Sequence, residues 1–158
     1  MPPVSFAAAA EAFILLVDSS AALPPVEFVH ELEHRIVDLY AAALTLEPGE
    51  PSEEDLPPRV SDDEVRAVYG HVSAKLGDFN FYSLIFDPFE PGEKPVDTSL
   101  ADDIADIYRD VSEGLDAFRE GHVSDAVWEW RFGFDTHWGH HAVNALTALY
   151  ALRTNRLG

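Results

Sequence analysis

The chain has no cysteine, which excludes disulfides, thiolate zinc sites and cysteine nucleophiles. Positive charge is scarce: 10 Lys and Arg against 29 Asp and Glu leave a formal net charge of −19. Such a surface repels nucleic acid and anionic lipid, and it suits cationic partners, metal ions or solubility alone. No apolar run reaches the ~20 residues of a membrane span. In the opening MPPVSFAAAAEAFILLVDSS no Lys or Arg precedes the apolar stretch and Glu11 interrupts it, unlike a signal peptide. A cytoplasmic protein is therefore expected. Glycine-rich phosphate loops, a nucleophile elbow and basic patches for nucleic acid are also missing. No repeat or composition break divides residues 1–158, so one domain is expected.

What the chain does have is a hydrophobic fraction of 47% and an aromatic fraction of 11%, in the range of packed globular proteins. A globule of this size buries about 70% of the surface its unfolded chain exposes. The dominant stretch runs from Ser124 to Asn155, SDAVWEWRFGFDTHWGHHAVNALTALYALRTN, and holds all three tryptophans. At helical spacing, Val127, Trp130, Phe134, Trp138, His141, Ala145, Leu149 and Leu152 form one apolar stripe. Trp128, Phe132, Val143, Leu146 and Tyr150 form a second, about a third of a turn away. A helix with two apolar stripes must be covered on two sides, by other helices or by a second copy of the chain.

Upstream, Ser5 is the expected N-cap of an opening helix through Asp18, with Phe6, Phe13, Leu16 and Val17 on one side. Pro25 suits the first turn of a second helix to about Leu46. The acidic, proline-rich Glu47–Arg59 segment reads as a loop and as the most mobile part of the chain. Ser61 and Glu64 form a capping box for a third helix that Gly77 closes. Asp78–Phe89 is aromatic and partly alternating, compatible with a short strand, although no sheet is expected. Ser99 starts a fourth helix to Gly121, with a seam of Leu100, Ile104, Ile107, Val111, Leu115 and Phe118. The fold class expected is all-α: a single-domain bundle of four to five helices around a long C-terminal helix.

Two histidine pairs could carry chemistry. HELEH, His30 to His34, fits the H-E-x-x-H zinc pattern, but it shares its face with Glu27, Arg35 and Asp38 as a solvated surface would, and no third ligand follows. His137 and His141 stand one turn apart, facing Asp103, Asp106 and Asp110 on the preceding helix. Histidines and carboxylates from facing helices build metal sites in bundles, so His137, His141, Asp103 and Asp110 are the candidate ligands of a divalent metal ion. The competing account is structural pairing. Arg131 falls on the buried side of its helix and needs a carboxylate, for which Asp103, Asp110 or Glu33 could serve. Trp130, Phe134, Trp138 and Tyr150 could line a pocket or simply form core.

SLADDIADIYRDVSEGL, followed by AVWEWRFGFDTHWGHHAVNALTAL and preceded by FYSLIFDP, resembles a family of small bacterial all-helical proteins, domain of unknown function 5063. The resemblance implies an all-α fold and carries no activity, cofactor or catalytic residue. Function is thus read as a non-enzymatic soluble interaction module, with a homodimer expected, that binds neither nucleic acid nor membrane and needs no cofactor. The alternatives are a divalent-metal-dependent hydrolase on the His/Asp cluster and an acidic inhibitor or immunity-type protein that neutralises a basic partner.

Overall fold

Pro2 and Pro3 occupy the first turn of α1, Pro2–Asp18, where their missing N–H groups cost nothing. The helix therefore starts three residues before Ser5, whose hydroxyl instead donates to the Met1 carbonyl at 3.2 Å. The structure is a computed structural model and describes residues 1–52, 54 and 56–157. Pro25 opens α2, Pro25–Thr45. The Ser61 hydroxyl accepts from the Glu64 amide at 3.1 Å and starts α3, Asp62–Leu76, which Gly77 ends at φ +56°. Ser99 accepts from the Asp102 amide at 3.2 Å and starts α4, Leu100–Arg119.

Between α3 and α4 lies a sheet that the sequence did not lead us to expect. Strands β1, Phe81–Leu84, and β2, Val96–Ser99, pair antiparallel with Phe81 opposite Ser99. The alternation in FYSL is real: Tyr82 and Leu84 turn inward and Phe81 and Ser83 outward, as a strand with one covered face requires. Two strands do not alter the class, and the fold is a helical bundle.

The last stretch comprises α5, Val123–Gly133, a π-helical turn, Phe134–Trp138, α6, Gly139–Ala151, and a closing π turn, Leu152–Arg156. Backbone angles stay right-handed helical across both junctions, as at Phe134 (−60°, −50°) and Gly139 (−63°, −37°), so this is one rod, as expected. In the π turn the Gly139 amide donates to the Phe134 carbonyl, five residues back. A Cβ on Gly139 would stand 2.2 Å from that carbonyl oxygen, which explains the glycine. The wide turn also lets Trp130, Phe134, Trp138 and Ala142, each four apart, all be buried. The buried stripe consequently continues through Ala142, and His141 is shifted to the edge facing α4.

The rod packs against α4 as its patterning implies. Trp130 donates its indole N–H to the Val111 carbonyl at 3.1 Å. Gly114 makes room for it, since a Cβ there would lie 2.2 Å from the indole nitrogen. Helix α1 brings Phe6 onto the same stripe, with ring centroids 4.5 Å from Trp130 and 5.9 Å from Trp138. It does not reach the second stripe, where Phe132, Val143 and Tyr150 remain 51%, 47% and 59% exposed. The proline-rich segment, expected to be mobile, has two anchors in its described part. Ser52 donates its amide and hydroxyl to Asp125 at 2.7 and 2.8 Å, and the Arg59 and Val60 amides donate to Glu113 at 2.8–3.1 Å. Residues 53 and 55 of that expectation lie outside the described residues. No helix among the described residues is long and apolar enough to cross a membrane.

Candidate functional site

Asp103, Asp106 and Asp110 follow one another at helical spacing along the edge of α4 that meets the rod. Opposite them stand His137, at the end of the π turn, and His141, in the first turn of α6. Asp103 is 1% exposed. One of its oxygens lies 2.8 Å from His141 Nδ1 and the other accepts the Tyr82 hydroxyl from β1. Asp110 lies 2.7 Å from His137 Nδ1. Asp106 lies 3.2 Å from His141 Nε2, and the two imidazoles meet edge to face with centroids 4.9 Å apart. One ligand atom from each of Asp106, His137 and His141 falls within 4.8 Å of the others.

The electrostatics follow from this packing. The hydrogen bond to Asp103 holds the His141 pKa above the usual imidazole range, helped by the Asp106 charge and opposed by burial. Burial raises the Asp110 carboxyl, against the lowering effect of the His137 hydrogen bond. Asp102, the next acid along α4, is also raised, first by burial and then by Asp106. Burial and the hydrogen bond to Asp103 push the Tyr82 phenol far up, so it stays a donor.

All four residues singled out in the sequence thus come together, in roles that spacing alone did not distinguish. Asp103 and Asp110 hold the inner nitrogens of the two rings, and Asp106 is the carboxylate beside their outer side. Tyr82 was not among the residues singled out; the alternation of FYSL, taken as a strand, is the signal that places it on the inward face. Arg131 corrects a second expectation, because it pairs with none of Asp103, Asp110 and Glu33. Its Nε lies 3.0 Å from Asp135, one turn on, and its guanidinium donates to the Ala43 and Leu46 carbonyls at 3.2 and 3.0 Å. Both carbonyls lie at the C-terminal end of α2, where the Ala43 oxygen also accepts from the Leu46 amide at 3.1 Å, and Arg131 caps that end. Glu33 is taken instead by Arg153 through two bonds of 2.7 and 3.0 Å. His30 and His34 of HELEH are exposed, and Glu31 pairs with Arg35 at 3.5 Å. Among the described residues no three-ligand group forms there.

A different surface lies on the other flank of the rod. Tyr40 of α2 and Val143, Leu146, Thr147 and Tyr150 of α6 line a shallow, mostly apolar groove. Beside it Phe86, from the turn after β1, stacks on His140 at 4.6 Å. From Thr136 to Gly158 the sequence contains no Asp or Glu.

An acidic helical bundle with a small two-stranded sheet and one long terminal rod is the class that the coordinates define. The chain belongs to the family described as Domain of unknown function (DUF5063), whose model matches residues 3–155. It is also similar to the crystal structure of protein BF1032 from Bacteroides fragilis, with a TM-score of 0.84 at 20% identity over 96% of this chain and 92% of that one. That likeness shows the fold. No functionally curated protein matches the chain. Neither similarity carries an activity.

Proposed function

We propose that the protein is an interaction module whose partner is a second copy of itself. The observation that carries this reading is the exposed apolar face of α6 on the acid-free part of a chain whose net charge is −19. Two copies repel each other wherever carboxylates would meet. The face of Val143, Leu146, Thr147 and Tyr150 brings none of its own, and an exposed apolar patch of this kind marks an interface. A two-fold axis at Leu146 and Thr147 sets α6 antiparallel to its mate. Val143 of one copy then meets Tyr150 of the other, an isologous contact that closes at two.

Light scattering should give a dimer, and Tyr150→Glu, at a position already 59% exposed, should give a folded monomer. The absence of native cysteine supplies a direct geometric test. Thr147→Cys places the only thiols of the dimer next to each other across the axis, and mild oxidation should link the chains, whereas Ser73→Cys on α3 should not link. A monomeric wild type, or a dimer unaffected by Tyr150→Glu, overturns the reading.

A further inference from the structure

The arrangement around His137 and His141 is more than an ion-pair network needs. To satisfy a histidine structurally, one carboxylate suffices. Here two rings meet three carboxylates: Asp103 on Nδ1 of His141, Asp110 on Nδ1 of His137, and Asp106 beside them. The Nδ1 contacts fix the tautomer and leave both Nε2 atoms as the outward ligands. Metal-binding histidines are held in just this way, with the second nitrogen donating to a carboxylate that sets the ring's orientation and basicity. Asp103 is fixed in turn by the Tyr82 hydroxyl, so the support extends one layer further. Asp106 then completes the outward set, on the same side as the ring nitrogens and bonded through neither inner carboxylate.

We propose that Asp106, His137 and His141 form a binding site for a divalent transition metal ion, oriented by Asp103, Asp110 and Tyr82. The three ligand atoms lie within 4.8 Å of one another. Around an ion with bonds of about 2.0–2.2 Å they would stand roughly 3–3.5 Å apart, a closure that rotation of two partly exposed side chains, Asp106 and His137, can make. His141 Nε2 lies 3.2 Å from the Asp106 carboxylate, and the ion enters between them. Two imidazoles and one carboxylate suit zinc and its neighbours and discriminate against magnesium and calcium, which prefer oxygen. Three protein ligands leave a tetrahedral ion one open position for water, and the 47% exposure of the His137 side chain puts that position towards solvent. This differs from the ligand set expected from the sequence. Asp103 and Asp110 are positioning residues, and Asp106 is the ligand.

The test is calorimetric titration of zinc chloride into tag-free protein stripped with a chelator and repeated with magnesium. One zinc ion per chain and no comparable magnesium binding are expected. His137→Ala, at an exposed position that the fold does not need, should lower zinc affinity at least tenfold, and Asp106→Asn should do likewise. Asp110→Asn keeps all three ligands and should lower affinity about 10–100-fold, while His30→Ala on α2 should leave it unchanged. Circular dichroism checks that each variant is folded. The proposal is overturned if the wild type takes up no stoichiometric zinc, or if His137→Ala binds it as tightly as the wild type does. Equal loss on His30→Ala would overturn it too, since the ion would then sit elsewhere.

Discussion

At the scale of single residues, tightness of fit decides what each side chain can do. Trp138 is fully buried, donates its indole N–H to the Trp130 carbonyl at 2.9 Å and packs on Phe134 at 4.9 Å. Trp138→Ala should therefore cost about 3–5 kcal/mol in denaturant unfolding. Gly114 makes the opposite case, where adding atoms does the damage. A methyl group there meets the Trp130 ring at 2.2–2.8 Å, between two helices that cannot both give way. Gly114→Ala should destabilise by about 1–3 kcal/mol or more, despite alanine's better helix propensity. A Gly114→Ala protein at least as stable as the wild type would contradict the close packing of α4 on the rod.

Among the elements, the rod is held at its far end by the bidentate Arg153–Glu33 pair, which ties its last turn to the middle of α2. The Arg153 hydrogen bond holds the Glu33 pKa below its ordinary 4.5, with burial opposing. A carboxyl whose folded pKa is depressed binds its proton more readily in the unfolded chain. Its contribution to stability is therefore full above the ordinary pKa and is lost as pH falls through the folded value. The stability difference between wild type and Glu33→Gln should stay constant near neutrality and shrink below about pH 4.5. Urea titrations at several pH values measure it, and a difference that grew on acidification would contradict the pairing. The π turn works at the same scale. By widening one turn at Gly139 it keeps the tryptophan stripe buried and sets His137 and His141 against the carboxylates of α4.

For the molecule as a whole, charge governs association. Two chains of −19 repel at long range, and the proposed interface contributes no carboxylate from α6 to offset by pairing. Raising salt from low ionic strength to about 0.15 M shortens the Debye length to ~8 Å and should tighten the dimer. Sedimentation equilibrium at several salt concentrations reads this directly. A dimer that weakens with salt would instead be held by ion pairs, and the acid-free face would not be its interface. The metal site lies on the opposite flank of the rod, so Tyr150→Glu should abolish association without changing zinc uptake.

Periodicity determined which segments are helices and which faces they bury, because a stripe at helical spacing has no other way to leave water. The caps at Ser61 and Ser99, the glycine stop at Gly77 and the burial of Trp130, Phe134 and Trp138 were all legible in this way. So was the meeting of His137 and His141 with the acids of α4, since adjacent amphipathic helices must face each other. Partner choice was decided only by the tertiary structure. Arg131 went to the carbonyls at the end of α2, Glu33 to Arg153 and Tyr82 to Asp103, because a polar group takes whichever complement the packing brings within about 3 Å, and spacing along one helix is silent about what a distant segment presents. The same holds for the second stripe. Its apolar character is written in the sequence, whereas its exposure depends on Phe6 having been drawn to the tryptophans on the other side.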